Sequence, residues 1–132
     1  MVTESSKLKS QNQNSKVKTE LRDRCYNYSI RMIKFINGLS EIRINGIISN
    51  QLARSATSIE ANIVEAKSAS SKKEFIRYYD IALRSANETG YWLGLLKDAV
   101  NINGSEISYL IKETEELSRI IAFSILTMRN KG

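Results

Sequence analysis

Residues Gln51 to Leu96 read QLARSATSIEANIVEAKSASSKKEFIRYYDIALRSANETGYWLGLL, two long runs of helical period joined by a short serine- and lysine-rich turn. In the first run Leu52, Ala56, Ile59 and Ile63 recur every three or four residues, and Ile48 extends the same stripe upstream. In the second, Phe75, Tyr79, Ala82, Ala86, Leu93 and Leu96 do so. The turn, Ser68 to Ser71, ends in a capping box. Ser71 can accept a hydrogen bond from a free amide of the first turn, and Glu74, three residues on, can reach back to another. The spacing therefore predicts one helix from about Asn45, a capping residue, to Lys67, and another from Ser71 to about Asp98.

The same period extends to both sides. Val17, Leu21, Tyr28, Met32, Phe35 and Ile36 predict a first helix over about Lys16 to Asn37, stopped by Gly38 and followed by a linker, Leu39 to Ile44. Beyond Asp98, Asn101-Ile102-Asn103-Gly104 is a turn, with Asn103 and Glu106 placed as a second cap. Ile107, Leu110, Thr114, Leu117, Ile121, Ser124 and Met128 then keep a three-four spacing over three heptads, the mark of a bundle seam. Residues 1–14, rich in Ser, Asn, Gln and Lys, are expected to be a disordered basic tail. Helices of this length are each roughly 30–40 Å long, and short turns make successive ones antiparallel. The fold class is all-α: residues 15–132 are expected to form one up-down-up-down four-helix bundle.

Composition agrees. At 132 residues, 42% hydrophobic and 26% charged, the chain has one domain's worth of core. Proline, which costs a helix interior roughly 3 kcal/mol, is absent. The N-terminus lacks a signal-peptide pattern and no apolar run approaches the roughly 20 residues that cross a bilayer, so the expectation is a cytoplasmic protein with no membrane role. The net charge of +6 is concentrated. Residues 1–45 hold nine Lys or Arg against four Asp or Glu, whereas residues 99–132 hold four of each. Such an excess can bind phosphate backbones by counterion release, or serve only as a solubilising arm.

Catalysis finds little to work with. The chain has no histidine, which removes the commonest general base and the usual metal ligand. Di-metal bundles combine Glu with Glu-x-x-His pairs; Glu65 and Glu88 lie on adjacent predicted helices with no His to complete a set. Cys25, the one cysteine, lies inside a predicted helix, where a structural or surface thiol is expected rather than an activated one. No glycine-rich phosphate loop is present, and Gly46 and Gly104 read as isolated turn residues. The expectation is a non-enzyme with no metal and no cofactor.

Function is then sought on surfaces. At 100° per residue, Arg54 and Glu65 lie about 20° apart on one stripe of the second helix, with Ser58 and Ala61 between them, facing away from the apolar set. That stripe is either a solvated face or a subunit interface, with Ala61 and Ser58 allowing close approach and Arg54 pairing with Glu65 across it. On the third helix Ala82, Ala86, Gly90 and Gly94 recur every four residues. Two interior glycines, each costing about 1 kcal/mol against alanine, read as a close backbone contact or as tolerated drift. Tyr91 and Trp92 beside them read as core and interface anchors, or as platforms for base stacking. The candidate nucleic-acid set is Lys16, Lys18, Arg22, Arg24, Arg31 and Lys34 of the first helix, with Lys7 and Lys9 of the tail.

The stretches Gln51 to Ile59, Ala61-Asn62-Ile63, Glu65-Ala66, Ser71 to Ile76, Ile81-Ala82-Leu83, Ala86 to Thr89 and Tyr91-Trp92-Leu93 together resemble a bacterial family. These are the small four-helix-bundle proteins first noticed in intervening sequences within 23S rRNA genes, related to the accessory variability determinant of diversity-generating retroelements. Glu60 stands where relatives usually have Pro or Gly, and Gly90 and Gly94 stand where close relatives tend to carry Glu, so no role of those two carboxylates is carried over. The resemblance implies a closed ring of five bundles, with Arg54, Ser58, Ala61, Glu65, Ala86, Gly90 and Gly94 at the interface. It also implies structured RNA or DNA, and a reverse transcriptase, as partners. A ring would repeat each weak basic patch around one axis and add avidity. The competing expectation is a structural or protein-interaction module with no nucleic-acid role.

Overall fold

The computed structural model describes residues 13–39 and 43–131; the side chains of residues 13–19 and 43–45 lie outside the description. Four helices result: α1 (Gln13–Asn37), α2 (Arg43–Ala66), α3 (Lys72–Asp98) and α4 (Ser105–Asn130). Each helix packs against its neighbours in the order α1, α2, α3, α4 and back to α1. The direction of the helices follows from the pairs that join them. Arg24 meets Glu113 while Arg31 meets Glu106, so α1 and α4 are antiparallel. Ser55 meets Thr89 while Ser58 meets Ser85, and Asn87 meets Ser118 while Asp80 meets Arg129. Thus α3 opposes both α2 and α4, α1 opposes α2, and the topology is up-down-up-down, as expected.

The core takes the predicted face of every helix. Leu21, Tyr28 and Met32 come from α1; Ile48, Leu52, Ala56, Ile59 and Ile63 from α2; Tyr79, Ala82, Ala86, Leu93 and Leu96 from α3; and Ile107, Leu110, Thr114, Leu117 and Ile121 from α4. Phe35, Ile36 and Phe75 are only half-buried, near the bundle ends. On α4 the expected seam fails at its last two positions: Ser124 and Met128 are half-buried and Ile125 is buried in their place. A straight α-helix drifts about 20° per heptad against a strict seven-residue repeat. After two heptads Ser124 has turned off the core line and its neighbour has turned onto it.

Helix ends show where local signals suffice. Ser71 is the N-cap of α3, its hydroxyl accepting from the Glu74 amide at 3.1 Å, and the Glu74 carboxylate accepts from the Ser70 amide at 2.7 Å. The capping box is thus present, displaced by one residue on its return bond. The bonds from the Ser70 amide and hydroxyl hold the Glu74 carboxyl below its ordinary value. Ser71→Ala is expected to cost about 1 kcal/mol, read as a drop of about 3–5 °C in the thermal midpoint.

The second predicted cap is not formed. Gly104, not Asn103, precedes α4, and no side chain caps it. Asn103 instead donates its side-chain amide to the Asn101 carbonyl at 3.0 Å. The turn needs two unusual conformations, Asn101 at φ 62° and Gly104 at φ 123°. An asparagine tolerates the first, and only a glycine adopts the second without strain. Gly38 follows α1 as expected but without a positive φ, since Gly104 is the sole such glycine among the described residues. α1 begins three residues earlier than predicted and α2 two residues earlier, so residues 13 and 14 belong to the bundle; the expected tail, residues 1–12, lies outside the described residues.

Candidate nucleic-acid and assembly surfaces

Arg24 and Arg31 of α1 are both paired with carboxylates of α4. Arg24 donates Nε and one Nη to the two carboxylate oxygens of Glu113, at 2.6 and 2.8 Å, and Arg31 does the same to Glu106, at 2.7 and 3.0 Å. The Arg31 guanidinium also lies 3.7 Å from the centre of the Tyr109 ring. Each pairing holds the guanidinium more firmly protonated than usual, chiefly through the hydrogen bonds to its carboxylate. Between the two pairs, Thr114 gives its proton to the Leu110 carbonyl, so Tyr28 donates to the Thr114 hydroxyl, 2.5 Å away. The α1–α4 seam is consequently tied by polar groups. Arg22 faces Asp23 at 3.9 Å, Lys34 is exposed, and Lys16 and Lys18 lie on α1 with side chains outside the described residues.

The Arg31 bonds also hold the Glu106 carboxyl below its ordinary value. A carboxyl whose pKa is lower folded than unfolded adds stability above its unfolded pKa, and that contribution disappears as pH falls through the folded value. Between pH 5 and pH 3 the urea midpoint should therefore fall, and it should fall less steeply in Glu106→Gln.

Lys34, Arg84, Lys97 and Lys112 are exposed without an ion pair to another described residue at scattered places on the helices, whereas five further cations gather at one end. Lys67 at the end of α2, Lys72, Lys73 and Arg77 in the first turns of α3, and Lys131 after α4 are exposed and make no ion pair with another described residue. Lys72, Lys73, Arg77 and Arg129 border an open cleft with Ile76, and there Arg129 binds Asp80 at 3.2 Å. Antiparallel packing places the start of α1 at this same end. Sequence reasoning missed the group because its charges come from separate segments, each nearly neutral in total; the Lys72-Lys73 pair with Arg77 one turn on was the available local signal.

The expected assembly residues divide. Ala61 and Glu65 are exposed on α2 as the stripe requires. Arg54, however, binds Glu88 of α3 within the same chain, along with the Gln51 side chain, and Glu88 accepts from the Trp92 indole at 3.0 Å. Ser58 is half-buried and accepts from Ser85 at 2.9 Å, beside Thr89, which reaches Ser55 at 2.9 Å. Ala86 is 1% exposed and belongs to the core, so it is withdrawn from the interface set. Gly90 and Gly94, read as a close backbone contact or as tolerated drift, meet no close backbone within the chain. A Cβ at Gly94 would meet nothing within 4 Å, and one at Gly90 only the Thr114 methyl at 3.9 Å. Tyr91 is exposed, and Trp92, half-buried, meets it edge-on. Exposed apolar side chains that the sequence reading did not single out are Tyr26, Ile30 and Ile33 on α1 and Phe123 and Leu126 on α4.

Cys25 is completely buried, and burial pushes its thiol up to about 12, so it is neither an accessible nor an activated nucleophile. Among the described residues no cluster of three His, Cys, Asp or Glu side chains can hold a metal ion, and no helix is long and apolar enough to cross a membrane.

A profile of the 23S rRNA-intervening sequence proteins matches residues 18–122, which takes in all four helices. The chain belongs to that family. A crystal structure from the S23 ribosomal protein family of Bacteroides thetaiotaomicron, described as a protein of unknown function, superposes with a TM-score of 0.74. The two are 32% identical, over 80% of this chain and 97% of the other. Among curated proteins none matches. What places this family member in its fold is therefore secure at the level of sequence and of architecture, and its surfaces carry the question of function.

Proposed function

We propose that the protein is a non-enzymatic, self-assembling bundle that binds the phosphate backbone of structured RNA or DNA at the end formed by the α2–α3 turn. The observation that carries this reading is that Lys67, Lys72 and Lys73 stand together with no carboxylate of the described residues in an ion pair with them, and Arg77 lies one turn on beside Glu74. Lysine and arginine side chains that reach phosphates position a backbone and read no base edges, so binding should have little sequence preference. The words 23S rRNA and ribosomal protein in the descriptions of the relatives favour RNA over DNA. Assembly into a homopentamer would present the basic end five times around one axis, with Ala61 and Glu65 near the contact. A reverse transcriptase as scaffolded partner, and a cytoplasmic setting, belong to the same reading.

A protein-interaction role is the second reading, favoured by the exposed apolar row Tyr26, Ile30 and Ile33 on α1. Titrating a structured RNA across a salt series decides between them. Affinity that falls steeply with salt supports the backbone reading, and RNA that is not retained even at about 50 mM salt rejects it. Light scattering on the same sample reads the assembly, and a stable monomer at micromolar concentration rejects the ring.

A further inference from the structure

We propose that Glu106 and Glu113 of α4 form an intramolecular shield that withholds the arginines of α1 from phosphate, confining nucleic acid to the turn end. The inference rests on the backbone-binding reading above and assigns which surface of the bundle the ligand avoids.

The geometry is specific. A guanidinium recognises phosphate and carboxylate with the same fork of parallel N–H donors. In both Arg24 and Arg31 the Nε and Nη2 donors of that fork are taken by a carboxylate, at 2.6–3.0 Å. Neither arginine is sequestered, however. Their side chains remain 40% and 46% exposed, so a phosphate can approach but must first displace a carboxylate already seated in its place. Tyr109 under Arg31 fixes the plane of the guanidinium, which would keep the fork presented if the carboxylate charge were removed. The other side of the bundle is built differently, since Lys72, Lys73 and Arg77 have no such carboxylate. Glutamine at both positions keeps a hydrogen-bond acceptor beside each arginine while removing the charge that matches it. That difference makes the idea testable.

One titration tests it, using a duplex RNA against four proteins at about 0.15 M salt: the unmodified chain, Lys72→Glu with Lys73→Glu, Glu106→Gln with Glu113→Gln, and Asp98→Asn with Glu115→Gln. The last pair removes the same charge from exposed carboxylates that make no ion pair with another described residue. Each phosphate contact is worth about fivefold at this salt and about 0.9 in the slope of log affinity against log salt. Freeing the two arginines should therefore tighten binding by about 25-fold and steepen the slope by about 1.8. Equal affinity for the Glu106/Glu113 and Asp98/Glu115 variants overturns the shield. Unchanged binding in the Lys72/Lys73 variant overturns the parent reading instead. Should loss of Glu113 weaken the fold, as circular dichroism and the urea midpoint would reveal, Glu106→Gln alone reads the same effect from a more exposed position, at about half the logarithmic gain.

Discussion

Replacing Lys72 and Lys73 together by glutamate is expected to weaken RNA binding by about 100-fold at about 0.15 M salt. Two lost phosphate contacts account for about 25-fold, and repulsion between the new carboxylates and the backbone for the remainder. Both lysines are exposed in the first turn of α3, so the bundle should remain folded. Reversing Arg24 and Arg31 is a useful comparison. Their charges are already matched by Glu113 and Glu106, so the same formal change should act mainly on the α1–α4 seam and appear as a lower urea midpoint. A fall in affinity for the arginine variant that equals or exceeds that of the lysine variant would return the binding site to α1 and remove the turn end from consideration.

Ala86→Glu and Ala61→Glu should separate just as sharply, although both alanines lie on helices whose small residues suggested an interface. Ala86 is 1% exposed, and a carboxylate there has neither water nor a cationic partner. Burying it costs several kcal/mol, comparable to the roughly 5–15 kcal/mol that holds a domain of this size together. Loss of cooperative unfolding, or of soluble protein, is the expected result. Ala61 is exposed, so Ala61→Glu should leave the helical circular dichroism and the thermal midpoint nearly unchanged and act only on self-association. A light-scattering mass identical to that of the unmodified chain would take Ala61 out of the assembly surface.

Why Ala86 and Ala61 read alike in sequence and differ in structure is a matter of what periodicity can encode. A four-residue repeat of small side chains identifies a face of a helix without identifying what lies opposite that face. On α3 the face that includes Ala82 and Ala86 turns into the core, while Gly90 and Gly94, on the same repeat, drift toward its edge. The helices packed opposite, not the repeat, decide which of these small residues is buried. The glycines show the same limit. Nothing within the chain approaches either closely enough to require the missing Cβ.

The architecture, by contrast, was legible before any coordinate. Binary periodicity at Ile48 to Ile63 and at Tyr79 to Leu96, the Ser71 cap, the absence of proline and turns too short to do anything but reverse direction are local properties, and they determine four antiparallel helices. The distribution of charge was legible only as a total along the chain. Which cations are free is decided by residues far away in sequence: Glu113 is 89 positions from Arg24, and Glu106 is 75 from Arg31. Antiparallel packing pairs those charges, and it brings Lys131 from the far end of the chain to the same end of the bundle as Lys67, Lys72 and Lys73. The helices follow from hydrogen bonds and side chains within a few residues of one another, so the sequence by itself determined them. Ion pairing and surface potential depend on distances between helices, so only the tertiary structure decided which part of a basic chain presents its charge to a partner.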